Sequence, residues 1–226
     1  MQKERFTFAV DDAETSGTAY ADGALREEPR TLILGHGAGA PQTHPWMVAM
    51  AEAIASKGIR VVTFNFLYTE KKRRAPDRPP VLDATWRAAI GAVRARFGAA
   101  RPFIGGKSMG GRVATLVAAG EGVDVAGVVL LGYPLHPPGK PKQLRTEHLP
   151  RIRVPMLFVQ GTRDPFGGPD ELAPFLEGLP AGTRLFAVDG GDHSLVRPKS
   201  HGEALAATMA RVASEIADFV SPSGSR

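Results

Sequence analysis

Residues 103–112 read FIGGKSMGGR, and this stretch guides the interpretation of the whole chain. Its first residues are strand-like, and the residues after Ser108 follow a helical pattern. Gly106 and Gly110 flank Ser108 in the pattern Gly-x-Ser-x-Gly. In a sharp strand-to-helix turn of this kind the serine has a strained backbone, and the glycines keep side chains from colliding. The pattern therefore identifies Ser108 as a candidate nucleophile that faces the N–H groups of the following helix.

The same stretch allows two other interpretations. Gly106-Lys107-Ser108 matches the end of a phosphate-binding loop, but that motif needs another glycine five residues before its Gly-Lys pair, where this chain has Arg101. A glycine-rich turn without any chemistry is the other alternative. The nucleophile interpretation requires a base and an acid elsewhere in the chain, and their presence would favour it over the two alternatives.

Short apolar runs alternate with helical patterns along the chain, which predicts an α/β fold with a doubly wound, mostly parallel sheet flanked by helices. Ligands of such sheets bind at the carboxyl ends of the strands. The predicted strands are residues 6–10 and 18–21 as a leading hairpin, then 31–34, 60–64, 103–105, 125–131, 156–160 and 184–188. The predicted helices are residues 45–57, 84–97 with Asp83 as its cap, 109–119, and 203–219 with Leu205 facing inward.

Composition limits what the chain can be. Its 226 residues, 43% hydrophobic and 23% charged, suit a globular protein with a sizeable core. We predict a single domain over residues 1–220 without a large lid, followed by a flexible tail over residues 221–226. The chain has no cysteine, which excludes thiol nucleophiles and thiolate metal sites and fits a reducing compartment. No apolar stretch suits a signal peptide or a membrane span, so we expect a cytoplasmic protein.

A serine hydroxyl needs a base to remove its proton. Of the six histidines, His193 lies directly after the last predicted strand, at the sheet edge where Ser108 is expected. Asp164 follows the preceding predicted strand and could accept the ring N–H of His193. Asp189 and Asp192 are nearer in sequence, but neighbours on a tight loop seldom reach the far ring nitrogen. The order Ser108, Asp164, His193 is that of α/β-hydrolase triads.

Two backbone N–H groups are candidates for stabilising a tetrahedral oxyanion. One is the N–H of Met109, immediately after Ser108. The other comes from the glycine-rich loop after the strand at residues 31–34, where we choose Ala38 and keep Gly39 as a reserve. We interpret His36 in this loop as a structural brace rather than a catalytic group.

Five motifs together resemble a known group of proteins. They are GHGAG at residues 35–39, GKSMGGR at 106–112, YPLHPPGK at 133–140, GTRD at 161–164 and GDH at 191–193. The chain resembles the α/β-hydrolase superfamily from about Thr31 to Phe219. More narrowly, it resembles the dienelactone-hydrolase-like subgroup that includes a testis-expressed protein and a subunit of the non-specific lethal chromatin complex.

This resemblance implies the α/β-hydrolase fold and a triad of Ser108, Asp164 and His193, but it implies no substrate. Dienelactone hydrolases proper use cysteine where this chain has Ser108, so their reaction is not carried over.

The sequence predicts a serine hydrolase that cleaves a carboxylic ester or thioester through an acyl-enzyme on Ser108. One alternative is a non-catalytic interaction module that retains the fold. Another is a small peptidase or amidase, ranked lower because no lid or propeller segment is evident. We expect a small-molecule ester or acyl substrate, no cofactor, no metal, no nucleic acid and no membrane as partners, and leave a homodimer open.

Two basic loops, residues 71–74 and 140–153, give part of the net charge of +5. They contain no interleaved aromatic residues for base stacking, so solvation is the simplest interpretation, and selection of anionic substrates is the alternative. The irregular segment 133–153 is expected to form a modest loop over the open end of the sheet.

Overall fold

Eight strands form one sheet in the computed structural model, which describes residues 1–23, 29–198 and 204–221. Across the sheet the strands follow the order β1-β2-β4-β3-β5-β6-β7-β8. They are β1 (Gln2–Val10), β2 (Ala13–Ala21), β3 (Thr31–Gly35), β4 (Arg60–Phe64), β5 (Phe103–Lys107), β6 (Gly127–Leu131), β7 (Met156–Gly161) and β8 (Arg184–Val188).

The sheet is mostly parallel. The leading hairpin β1–β2 is antiparallel, and β2 pairs antiparallel with β4. All other neighbouring strands pair in parallel, so their carboxyl ends meet at one edge. The predicted fold class and the predicted hairpin are both confirmed, although the hairpin strands are longer than expected.

Helices cover both faces of the sheet. They are α1 (Pro45–Ala55), α2 (Leu67–Glu70), α3 (Pro79–Phe97), α4 (Met109–Ala118), α5 (Pro169–Leu172) and α6 (Leu205–Val220). Strand β6 shows how the faces are filled, because Val128 and Leu130 pack toward α3 and α4, whereas Val129 and Leu131 pack toward α1 and α6. This alternation is the period-two pattern of a strand buried on both sides. Within the described residues, no helix combines the length and apolar character needed to cross a bilayer.

Some predicted boundaries are wrong. Helix α3 begins at Pro79 rather than at residue 84, because proline is well suited to the first helical turn. Asp83 is therefore not its cap and instead pairs with Arg87 at 2.7 Å, one turn further along. Leu205, expected to face inward, is 37% exposed at the start of α6. The predicted tail falls on residues 222–226 beyond Ser221, which lie outside the described part of the chain.

Helix α4 packs unusually closely on β3. A Cβ atom on Gly110 would lie 2.2 Å from the Gly35 carbonyl oxygen, and such overlap requires the backbone to move. Only glycine therefore fits at this position, the second residue of the helix that follows Ser108.

This close approach gives a testable contrast between two helical glycines. Gly110→Ala should destabilise the fold by about 3 kcal/mol or more, because the helix must move away from β3. Gly91→Ala should stabilise it by about 0.5–1 kcal/mol, because Gly91 lies in α3 with no neighbouring atom within 4 Å of an added Cβ. Urea unfolding of both variants measures the difference. Equal effects would contradict the packing described.

Candidate active site

Ser108 lies at the tip of the turn between β5 and α4. Its backbone has φ 50° and ψ −113°, a region that non-glycine residues rarely adopt. The Ser108 N–H donates to the Leu131 carbonyl at 3.0 Å, which ties the turn to β6. The strained backbone therefore projects the hydroxyl beyond the edge of the sheet.

The structure brings the three predicted side chains together. His193 Nε2 lies 2.8 Å from Ser108 Oγ. On the other side of the ring, His193 Nδ1 lies 2.8 and 3.0 Å from the two Asp164 carboxylate oxygens. With an acceptor at Nδ1, the ring carries its proton there and leaves Nε2 free to accept from the serine hydroxyl.

The other two aspartates near His193 have separate contacts. The Asp192 carboxylate accepts the N–H groups of Ser194 at 2.7 Å and Val196 at 2.9 Å, which closes the turn that carries His193. Asp189 lies 3.6 Å from Arg197. The choice of Asp164 over these nearer residues therefore agrees with the geometry.

Gln160, at the end of β7, holds Asp164 in place and was missed in the sequence. Its side-chain amide donates to Asp164 Oδ2 at 2.9 Å and to the Gly167 carbonyl at 2.6 Å, and it accepts the Tyr133 N–H at 2.8 Å. Only 1% of Gln160 is exposed. A polar residue at the end of an otherwise apolar strand was the available signal, because a buried amide must find partners.

Two further residues, Phe166 and Gly132, contact His193 from other parts of the chain. The Phe166 ring stacks on the imidazole, with the ring centroids 4.2 Å apart. Gly132 allows close approach of the His193 backbone, because a Cβ there would lie 2.7 Å from the His193 carbonyl oxygen. Gly132 also has φ 65°, which favours glycine.

The loop after β3 is braced from below by His36. The His36 Nε2 atom accepts the Phe66 N–H at 3.1 Å, so the proton is on Nδ1, which donates to the Gly37 carbonyl at 2.8 Å. Burial lowers the pKa of His36 to about 4. Tyr68 adds a hydroxyl bond to the Ala38 carbonyl at 2.9 Å. These contacts agree with the interpretation of His36 as a brace.

A cleft of about 390 Å³ opens above Ser108. It is lined by Gly37, Ala38, Gly39, Ala40, His44, Trp46, Met47, Lys107, Ser108, Phe166, His193 and Ser194. Ala38 and its reserve Gly39 therefore border the cleft, whereas Met109 begins α4 directly behind Ser108. The walls are largely apolar.

The segment 133–153 does not cover this cleft, so that expectation is wrong. None of its described residues lines the cleft, and the same holds for the basic residues 71–74, which are exposed. Leu135, Leu149 and Ile152 instead pack into the apolar cluster under α3 and α4. Burial of these side chains holds the segment against this cluster, and the His136 N–H donates to the carbonyl of Phe166, a cleft residue, at 3.1 Å.

Comparison with known proteins now identifies the family. A sequence model described as an alpha/beta hydrolase domain matches residues 28–221, and the chain belongs to this family.

Solved structures agree with the fold. A dienelactone hydrolase from Anabaena variabilis is 19% identical with a TM-score of 0.75, over 96% of each chain. An α/β serine hydrolase without a lid, from Xanthomonas campestris, is 18% identical with a TM-score of 0.74, over 97% of this chain and 94% of that one. Est1E from Butyrivibrio proteoclasticus is 12% identical with a TM-score of 0.74, over 95% of this chain and 96% of that one. At these identities the likeness is one of fold.

Replacing Gln160 tests the support of the buried carboxylate. Gln160→Met keeps the approximate volume but leaves Asp164, Gly167 and Tyr133 without their amide partner. We expect the free energy of unfolding to fall by about 2–3 kcal/mol, measured by urea denaturation. Gln143→Met, at an exposed position, is the control and should change stability by less than about 0.5 kcal/mol. A Gln160 variant as stable as the control would contradict the role given to this amide.

Two buried histidines make stability depend on pH. Burial lowers the pKa of both His36 and His148 to about 4, from an ordinary value of 6.5. The unfolded chain therefore binds more protons between these values, so stability is complete above pH 6.5 and falls as the pH drops toward 4. Each histidine contributes at most about 1.4 kcal/mol per pH unit.

His148→Gln should remove about half of this dependence. The replaced side chain lies 2.7 Å from the Thr115 hydroxyl, a contact that glutamine can also make. Urea unfolding at pH 7.5 and pH 5 in wild type and variant measures the difference. An identical pH dependence in both proteins would show that His148 does not titrate on unfolding.

Proposed function

We propose that this protein is a serine hydrolase that cleaves a carboxylic ester or thioester through an acyl-enzyme on Ser108. The observation that carries the proposal is the continuous chain of hydrogen bonds from Asp164 through His193 to the Ser108 hydroxyl, at the floor of a cleft. Membership of the α/β hydrolase family supports it, because the fold presents such a serine at the carboxyl edge of its sheet.

The reaction follows from the protonation state of the ring. His193 Nε2 takes the Ser108 proton as Oγ attacks the substrate carbonyl, and Asp164 stabilises the resulting imidazolium. Collapse of the tetrahedral intermediate breaks the bond to the alcohol or thiol, which leaves with the proton from His193. Water, activated by the same histidine, then attacks the acyl-enzyme and releases the acid and Ser108.

The Ala38 and Met109 N–H groups are the proposed donors to the oxyanion. Among the hydrogen bonds of the described residues, neither group donates to another part of the chain. Met109 is the first residue of α4, so its N–H is one of those that a helix leaves unpaired, and the positive end of the helix dipole lies there. One such donor typically contributes about 3 kcal/mol to the transition state.

The apolar walls and modest volume of the cleft favour a small substrate with a short acyl group. A dedicated peptidase stays the weaker proposal because no lid or propeller segment is found among the described residues. The narrower likeness to the subgroup with a testis-expressed protein and a chromatin subunit stays a prediction from the motifs.

Hydrolysis of p-nitrophenyl acetate and butyrate tests the proposal. Ser108→Ala should lower kcat/KM by roughly 10⁴–10⁶-fold, because the nucleophile is lost while the fold is retained. Ser214→Ala, which changes a half-buried serine on α6 that does not line the cleft, is the matched control and should behave as the wild type. Equal rates for wild type and Ser108→Ala would disprove the proposal.

A fluorophosphonate probe separates the enzyme from the non-catalytic alternative. It should label the wild type and the Ser214 variant but not the Ser108 variant. An unlabelled wild type that also leaves both esters intact would favour an interaction module on the same fold.

A further inference from the structure

Lys107, the residue directly before Ser108, extends its side chain toward the loop that carries His193. The Lys107 Nζ atom donates to the His193 carbonyl oxygen at 2.5 Å. It also lies 5.6 Å from the centre of the Trp46 ring, a distance suited to a cation–π contact. The residue next to the nucleophile is thus bonded to the backbone of the base.

Trp46, at the start of α1, makes a similar hydrogen bond to the next residue of the same loop. Its indole N–H donates to the Ser194 carbonyl at 2.8 Å. Trp46 is 9% exposed and lines the cleft together with Lys107. Two donors from separate elements of the fold therefore bind two consecutive carbonyl groups.

We propose that Lys107 and Trp46 are positioning residues that form a clamp on the His193–Ser194 backbone and hold the imidazole against Ser108. This inference rests on the proposed function, since the position of the ring affects catalysis only if His193 is the base.

The other contacts of His193 do not tie its backbone to the elements beside Ser108. Asp164 and Phe166 act on the ring, and they fix its tautomer and its tilt. The Asp192 turn closes the loop on itself, with bonds that lie within residues 192–196. The clamp ties this turn to β5 and α1, the elements beside the nucleophile. A displacement of about 1 Å between reacting groups can cost roughly 100-fold in rate.

The lysine contact does not need a positive charge. Burial lowers the pKa of Lys107 to about 8, although Asp164 and Asp192 oppose the shift. A neutral amine still has N–H groups to donate to the His193 carbonyl. Hydrogen bonding to the loop therefore persists on either side of that pKa.

Steady-state kinetics with a neutral ester, p-nitrophenyl butyrate, tests the clamp. Lys107→Met keeps the aliphatic stem without a donor, and Trp46→Phe keeps a ring without the N–H. Each should lower kcat by about 10–100-fold and change KM by less than about threefold. Lys107→Arg should retain more activity than Lys107→Met because it keeps a donor. The double variant should lose less than the product of the two effects, because both donors fix one loop.

Lys57→Met, an exposed lysine after α1, is the matched control and should have wild-type kinetics. A second reading of Lys107 is that its ammonium binds an anionic substrate. Lys107→Met would then raise KM for the anionic ester p-nitrophenyl hemisuccinate and leave kcat for p-nitrophenyl butyrate unchanged. That result would overturn the clamp and favour substrate binding by Lys107.

Hydrogen–deuterium exchange gives a readout that does not depend on turnover. Amides of residues 189–196 should exchange at least about fivefold faster in Lys107→Met and Trp46→Phe than in wild type or Lys57→Met. Unchanged exchange in an active enzyme would refute the clamp and leave the proposed function intact. A wild type that hydrolyses no ester and is not labelled would refute the proposed function, and exchange alone would then decide whether the loop is clamped.

Discussion

The contact between the start of α4 and the end of β3 is the constraint on which the site depends. Gly110 approaches the Gly35 backbone so closely that no side chain fits between them. This contact sets the helix against the central strand and places the loop after β3 beside Ser108. Ser108 and Met109 lie at the start of α4, and Ala38 lies in the loop after β3. The Gly35–Gly110 contact therefore holds the candidate nucleophile and both candidate oxyanion donors together. A small shift of α4 would therefore disturb three parts of the site at once.

Polar groups that lie below the surface maintain this arrangement. His36 bonds to the backbone of its own loop and of the segment after β4. Gln160 links β7 to Asp164 and to Tyr133, two residues after β6. In an apolar interior, such groups must be satisfied by fixed partners, so each one defines where a loop can lie. The geometry of the candidate site thus depends on buried residues outside the three converging side chains.

The sheet, the helices on both of its faces and the convergence of Ser108, Asp164 and His193 could all be predicted from the sequence. Each of those side chains follows a strand with a clear apolar pattern, and parallel strands end at a common edge. The start of α3 was not predictable in the same way, since its two prolines resemble the proline-rich loop before them. Phe166 and Trp46 were missed because their roles depend on distant partners. Trp46 bonds to a residue 148 positions away, and no local pattern encodes such a contact.

The side loop over residues 133–153 has a consequence for how the cleft is used. Because its apolar residues are buried against the domain flank, the mouth above Ser108 stays open among the described residues. For a hydrolase of the proposed kind, no segment within residues 1–23, 29–198 and 204–221 would have to move before bulk solvent reached the acyl-enzyme. Turnover would then show no lag and no activation at a lipid–water boundary. In such an enzyme selectivity would come from the shape of the floor and walls of the cleft, and varied leaving groups would be tolerated.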